Sequence, residues 1–317
     1  MYLKSRQANL DDLSKAFPFI QERLRIPSAL REPLLKMWQA AMIEGLCLAP
    51  VVVDTDQTEG QELVALALTF QVNDSIVNFS RTSAPPYPWR WMLEHWQQGR
   101  TVWLARREAR NAEKLQGANI FAYCYGVDSK RYGSADFVRI QEALSESFIQ
   151  GLARRRMRFF VEEVYGPIFR DRHLGFGCDV WRDYKETGSK PHIQGLSEEE
   201  RPFLMGGDFT QVAENLSKTN TVVGKLALPG PPRFNFKIAE QETMLLALQG
   251  LTDEAIADQL GLSLVAIKKR WQGIYQKIDD HDAQSCADLE SQGANRLKVR
   301  RRQVLQMMSE HPEEFWA

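Results

Sequence analysis

The sequence has no apolar run long enough to span a bilayer, no closely spaced cysteine pair and almost no net charge. Its 40 basic and 41 acidic residues leave a net charge of −1, so the whole chain has no strong attraction to nucleic acid or membrane. A membrane span needs about 20 consecutive apolar residues. The four cysteines are scattered, which argues against a disulfide framework or a structural zinc site. We therefore expect a cytoplasmic protein with reduced thiols, no metal and no membrane partner.

Alternating helix-like and strand-like patterns indicate a mixed α/β domain over residues 1–184. Two amphipathic helices precede the β-rich runs "LAPVVVDT" and "ELVALALTFQV". The strands "NIFAYCYGV" and "RFFVEEV" then flank a long helix that begins near Ser134. Residues 185–233 are rich in polar residues, Pro and Gly, and we interpret them as a connector. Residues 234–317 are expected to form an all-α domain.

A segment between the strands, residues 84–116, is unusually aromatic and is expected to be largely helical. Such a cluster can line a small-molecule pocket, form a dimer contact or cover the sheet as core. The sequence favours core or interface over a pocket. The aromatic residues concerned are Tyr87, Trp89, Trp91, Trp96 and Trp103.

Three short helices are predicted at the start of the C-terminal domain. Gly250 ends the first, Thr252 or Asp253 caps the second, and Ser263 caps the third after Gly261. Only "GLS" separates the second helix from the third. Two short helices joined by so tight a turn are typical of a helix-turn-helix.

The third helix carries three consecutive cations between apolar residues at helical spacing. Taken alone, this run is typical of a solvated face or of a surface that meets an acidic protein. Combined with the tight turn and the caps, it predicts binding to double-stranded DNA, because Lys pairs with phosphate or guanine, Gln with adenine and Val with a thymine methyl. A helix N-terminus also suits a phosphate. The predicted DNA-binding residues are Ser263, Val265, Lys268, Lys269, Arg270 and Gln272.

The segment 236–278 resembles the LuxR-type (GerE-like) DNA-binding domain. The similarity lies in Gly250-Leu251, in Ile256-Ala257 and in the pattern Ser-x-x-Ala-Ile-Lys that begins at Ser263. Ala266 stands where the family usually has Thr. The resemblance implies a recognition helix over 263–277 in the major groove and a homodimer formed through a fourth helix after about residue 282.

The chain extends beyond what that resemblance requires, in a predicted helix rich in Arg and Lys from about residue 295 onward. This helix could widen the DNA footprint, dock on the N-terminal domain or on a second chain, or be an ordinary solvated surface helix. The sequence does not distinguish among these four interpretations.

The N-terminal domain resembles the GCN5-related N-acetyltransferase (GNAT) superfamily in three stretches: "SRQANLDDLSKAF", "KRYGSA" and "FRDRHLGFGCDVW". The second is similar to the family's acyl-CoA loop, in which a Gly-containing turn directs backbone amides toward a pyrophosphate. The resemblance therefore implies a site for acetyl-CoA or another acyl-CoA at this loop. The loop residues are Lys130, Arg131, Gly133 and Ala135.

No catalytic residue follows from this resemblance. Asp171 stands where the family's general-acid Tyr is usual. The candidate bases are Asp128, Glu162 and Glu163, and their spacing in the sequence does not single out one of them. We therefore interpret the chain as a DNA-binding transcriptional regulator, in which the N-terminal domain senses a small-molecule effector or mediates dimerisation. The alternative is an acetyl-CoA-dependent N-acetyltransferase with a helical docking module.

Overall fold

Eight strands of the chain pair into one mixed sheet with helices on both faces. The computed structural model describes residues 1–45, 47–58, 60–128, 130–152, 157–185, 193–209, 233–281, 293–310 and 314. The strands are β1 Leu3–Gln7, β2 Cys47–Leu48, β3 Pro50–Asp54, β4 Leu63–Gln71, β5 Ala118–Val127, β6 Met157–Tyr165, β7 Asp179–Asp183 and β8 Pro202–Asp208. Their order is β1-β3-β4-β5-β6-β8-β7, and β2 pairs with β4.

Within the described parts of the chain, seven α-helices accompany the sheet and four follow it. The first group is α1 Leu10–Arg23, α2 Arg31–Glu44, α3 Asp74–Thr82, α4 Pro88–Gln97, α5 Arg106–Gln116, α6 Ser134–Leu152 and α7 Gly166–Gly175. The second group is α8 Ile238–Leu248, α9 Asp253–Leu260, α10 Leu264–His281 and α11 Gly293–Glu310. The expected α/β class of the N-terminal part is confirmed. In the part of the chain that the structure describes, no helix is both long enough and apolar enough to cross a membrane.

The two faces of the sheet bury different sets of helices. Val51 and Leu66 belong to the buried cluster that includes α1, α2 and α4. Their neighbours Val52 and Ala65 belong to the cluster that includes α6. Because successive side chains of a strand point to opposite faces, α6 lies on the face opposite α1 and α2.

The only parallel pairing described in the sheet joins β5 to β6 and creates an opening. The paired register runs from Ala118–Met157 to Ala122–Glu162. Beyond that point β5 continues along β4 as far as Val127, while β6 continues along β8. The two strands therefore diverge over their carboxyl-terminal halves, between α6 and α7.

The sheet extends beyond residue 184, where the sequence pattern placed its end. Strand β8 lies within the predicted connector 185–233, yet it pairs with both β6 and β7. Six of its seven residues are buried. Its sequence, "PFLMGGD", contains Pro and two Gly residues, which are more typical of turns and loops than of a strand. Residues 186–192 and 210–232 of that connector lie outside the described residues.

The aromatic segment 84–116 forms core. Trp89, Trp91 and Trp103 are buried and belong to the same cluster as α1 and α2. Trp91 packs edge-on against Phe121 of β5, with ring centroids 5.9 Å apart. The sequence favoured core or interface over a pocket for this segment, and the buried tryptophans confirm that it contributes to the core.

The C-terminal helices pack on one another and also meet the sheet domain. Their buried side chains, among them Ile256, Trp271 and Met308, belong to a cluster that continues into Phe203 and Met205 of β8. Gln249, just after α8, donates a side-chain hydrogen bond to the Met42 carbonyl in α2. The helices therefore share buried contacts with the sheet.

Candidate functional site

The turn between α9 and α10 is tight and is held by local hydrogen bonds. Gly261 adopts the left-handed conformation with φ 63°, which glycine reaches without the steric cost that a Cβ brings. The amide of Leu262 donates to the Ala257 carbonyl at 2.9 Å, and Ala266 N donates to Ser263 Oγ at 3.2 Å. These bonds cap the end of α9 and the start of α10, which fixes the angle between the two helices.

Helix α10 has a buried face and an exposed face. Ile267, Trp271 and Ile274 are buried, and Trp271 Nε1 donates to Asp253 Oδ1 of α9 at 3.1 Å. The opposite side carries Val265, which is 75% exposed. The other exposed residues on that side are Lys268, Lys269 and Gln272. We call these four residues the outward face of α10; they follow one another at i, i+3, i+4 and i+7.

Arg270, also among the predicted DNA-binding residues, lies on the side of α10 that meets α8 and does not belong to the outward face. Its Nη1 donates to the Ala239 carbonyl at 3.0 Å and to Thr243 Oγ1 at 3.3 Å, and lies 4.0 Å from the Glu242 carboxylate. A helix rotates by about 100° per residue, so the step from Lys269 turns Arg270 toward α8. Its guanidinium holds α10 and α8 together.

A second ionic contact fixes α10 on α8. Lys277 Nζ lies 2.9 Å from Glu240 Oε2, and the same oxygen accepts from the Lys237 amide at 2.6 Å. The Glu240 side chain is only 7% exposed. A Cβ at Gly273 would lie 2.8 Å from Glu240 Oε1, so glycine leaves room for the carboxylate. Glu240 thus caps α8 and pairs with α10 at once.

The basic C-terminal helix α11 docks on α9 and α10. Arg301 Nη2 lies 3.2 Å from Asp253 Oδ1, and its guanidinium stacks 5.1 Å from the Trp271 ring centroid. Arg300 pairs with Asp279 of α10. Arg300 and Arg301 therefore hold α11 against α9 and α10. The side chains of the basic residues nearer the start of α11 lie outside the described residues.

The predicted acyl-CoA loop does join a strand to a helix, at the turn between β5 and α6. Arg131, however, is turned back onto the protein. Its Nε donates to Asp128 Oδ2 at 2.5 Å, and its two Nη atoms donate to the carbonyls of Gln61 and Leu63 at 2.7 and 2.8 Å. Lys130 Nζ lies 2.8 Å from Glu22 in an exposed pair.

These contacts fit a diphosphate poorly. The guanidinium of Arg131 is committed to three acceptors, and the nearby carboxylates of Asp128 and Glu22 oppose an anion. Gly133 and Ala135 are exposed, and no heavy atom lies within 4 Å of the position that a Cβ on Gly133 would occupy. The loop therefore lies where the resemblance requires it, but its two cations do not face a vacant anion site.

A cavity of about 540 Å³ opens where β5 and β6 diverge, between α6 and α7. Its inner wall is apolar and largely aromatic, whereas exposed polar side chains of α6 and α7 form its rim. The inner wall includes Leu144, Phe148, Leu152, Met157, Phe160, Phe169 and Phe209. The rim includes Gln141, Glu142, Ser145 and Arg172.

One ionic pair faces this cavity. His173 Nε2 lies 2.9 Å from Glu162 Oε2, and Nδ1 lies 2.8 Å from the Phe169 carbonyl. Burial lowers the pKa of His173, but the charge of Glu162 and its hydrogen bond outweigh burial, so the pKa lies above 6.5. Both ring nitrogens face acceptors, which suits an imidazolium beside an ionised carboxylate.

Glu163, the next residue, turns to the opposite face and is buried. Its Oε1 accepts from Tyr165 OH at 2.6 Å and its Oε2 from the Tyr87 amide at 2.8 Å. Burial raises the pKa of Glu163 from 4.5 to about 7, although these hydrogen bonds oppose the shift. Asp171, by contrast, is exposed and pairs with Arg170 at 2.7 Å.

Glu163 should make the stability of the chain fall as the pH rises from 4.5 to 7. In that interval the unfolded chain releases a proton that the folded chain retains, because the pKa is raised on folding. A shift of this size corresponds to roughly 3 kcal/mol. Glu163→Gln should remove that fall, since an amide can accept from Tyr87 N and donate to Tyr165 OH. Denaturant unfolding at several pH values measures the difference.

The matched control is Glu146→Gln on the exposed side of α6. Its free energy of unfolding should follow the wild-type curve over the same pH range. If the Glu163→Gln curve also runs parallel to the wild type, the buried carboxyl does not titrate in this interval and the pKa assignment is wrong.

No protein-family model matches the chain, and no curated protein matches it. A solved structure that resembles part of the chain is the C-terminal condensation domain of Ebony in complex with beta-alanyl-dopamine. It is 11% identical, with a TM-score of 0.35, and the alignment covers 66% of this chain and 99% of that one. At this TM-score the similarity supports no inference about function.

Sequence reasoning missed the cavity and did not separate the two adjacent glutamates. The cavity wall comes from β4, β5, α6, β6 and α7 and from Phe209 after β8, which are far apart along the chain. Strand alternation does place Glu162 and Glu163 on opposite faces. The burial of Glu163 depends on Tyr87 and Tyr165, and the contact with Tyr87 spans 76 positions. No local pattern reports such a contact.

Proposed function

We propose that the protein is a cytoplasmic, sequence-specific DNA-binding transcriptional regulator that inserts α10 into the major groove. The observation that carries the proposal is the outward face of α10, which a capped helix-turn-helix presents to solvent. Lys268 and Lys269 are exposed on it. The helix behind this face is fixed by Trp271, Arg270 and Lys277.

Each residue of the outward face has chemistry that suits a duplex. Lys268 and Lys269 reach phosphates or guanine edges, Gln272 reaches adenine, and Val265 meets a thymine methyl. Ser263 Oγ accepts a bond from Ala266 N, so its own proton is available to a phosphate at the start of α10. Binding of two copies to half-sites about one helical turn apart follows from the LuxR-type resemblance.

We assign the sheet domain to effector sensing, with a GNAT-like architecture. Support comes from the order of its helices and strands and from the cavity where β5 and β6 diverge. The N-acetyltransferase alternative has less support. The cations of that turn are engaged by protein groups, and Asp171, at the general-acid position, pairs with Arg170 in solvent.

Selection of bound sequences from random duplexes tests the DNA-binding proposal. The full-length chain should enrich one short site with an inverted repeat, because two copies of α10 read it. Val265→Ala should change the base preference at one position of each half-site more than it changes affinity, since it removes an apolar contact with a base edge. Recovery of random sequence by the wild-type chain would contradict the proposal.

A further inference from the structure

The cavity between β5 and β6 has the features of a site for a small molecule. Its volume of about 540 Å³ lies within the range of roughly 300–1,000 Å³ that is usual for ligand pockets. It is not sealed, because the rim residues Ser145 and Glu142 are exposed. A compound from solution can therefore reach the aromatic wall.

The interior of the cavity supplies apolar contact and no unpaired charge. Phe148, Phe160 and Phe169 face it, together with Met157 and Leu152. Aromatic walls of this kind contribute to binding through buried area and through edge-to-face contacts. The charged lining residues Glu142 and Arg172 lie at the exposed rim, so an ionic group that entered the apolar interior would have to desolvate without them, which is costly.

The carboxylate and the imidazole nearest the interior are already paired with each other. Glu162 and His173 are paired at 2.9 Å, and the second ring nitrogen of His173 is occupied by the Phe169 carbonyl. His173 also stacks on Phe160, with an interplanar angle of 12°. A ligand that approaches this pair meets a carboxylate and an imidazole that are already bonded to each other.

The residues of the predicted acyl-CoA loop are not among those that line the cavity, so they supply no partner for a diphosphate there. Arg131 donates to Asp128, Gln61 O and Leu63 O, and Lys130 pairs with Glu22. We propose that this cavity binds a neutral, largely apolar small molecule that carries no phosphate, and that this molecule is the effector of the sheet domain. The site thus differs in ligand class from the acyl-CoA expected from the sequence.

A neutral fluorescent probe, N-phenylnaphthylamine, tests the site on the full-length chain. Its emission should rise saturably on binding, and the probe should raise the unfolding temperature of the chain. Ser145→Trp places a large side chain at the rim and should weaken probe binding roughly tenfold or more. Glu146→Trp, the adjacent exposed position of α6 outside the cavity lining, should change it less than about twofold.

Three outcomes would overturn the proposal. They are the absence of saturable binding by the wild-type chain, equal probe binding by the Ser145→Trp and Glu146→Trp chains, and displacement of the probe by micromolar acetyl-CoA. The last would restore the acyl-CoA assignment. Far-UV circular dichroism and binding of the selected duplex serve as folding controls for both variants. A chain that binds duplex but not probe contradicts the ligand site alone, whereas one that binds probe but not duplex contradicts the regulator.

Discussion

Replacing Lys268 and Lys269 together by Ala is expected to lower affinity for the selected duplex about 100-fold or more. Each lysine contributes about 1–3 kcal/mol through a base edge or a phosphate. Both side chains are exposed, so their removal should leave the fold unchanged. Fluorescence anisotropy of a labelled duplex, titrated with protein at fixed salt, measures the loss.

Salt concentration must be held constant, because phosphate contacts release counterions. The matched control is Lys15→Ala with Lys36→Ala, which removes the same charge from the sheet domain. These lysines form only exposed pairs with Asp11 and Glu32, and affinity should stay within about twofold. If the two double variants bind the duplex equally well, the lysines of α10 act only through net charge. That result would contradict the proposal that α10 contacts the DNA directly.

Replacing Glu240 by Ala is expected to destabilise the C-terminal helices by about 3–5 kcal/mol. The change leaves the Lys277 ammonium without its buried partner and removes the acceptor of the Lys237 amide at the start of α8. DNA binding should fall with stability, because α10 is held on α8 by this pair. Thermal unfolding, followed by tryptophan fluorescence, measures this loss of stability.

Two further variants separate a lost ion pair from a general defect. Glu254→Ala removes an exposed carboxylate from the first turn of α9 and should cost less than about 1 kcal/mol. Glu240→Met combined with Lys277→Met removes both charges and should recover most of the stability lost by Glu240→Ala. If the double variant is as unstable as Glu240→Ala, the unpaired charge is not the cause.

The turn between α9 and α10 was predictable because its determinants are local. Thr252 and Ser263 cap their helices as the sequence pattern indicated, and Gly261 ends α9 in the left-handed conformation. All of these contacts join residues within five positions of one another. The same periodicity turns Arg270 away from the outward face, since it follows Ile267 by almost one helical turn and lies near the buried side.

The sheet was predictable in class but not in extent. Strand β1 went unrecognised because "LKSRQ" is polar and short, and it is defined by its pairing with β3 about 47 positions later. Strand β8 pairs with β6 about 40 residues before it. Pairing with a strand so far away along the chain produces no periodic pattern in the local sequence. The cavity depends on where β5 and β6 part, a distant pairing of the same kind.

The most direct test of the central claim is the ratio of two dissociation constants for the full-length chain. One is measured on the selected duplex and the other on a scrambled duplex of the same length and composition, in the same buffer. Specific DNA-binding proteins prefer their sites by roughly 10³-fold or more, and we expect a ratio of that order. Equal affinity for the two duplexes would contradict the assignment of α10 as a helix that reads base sequence.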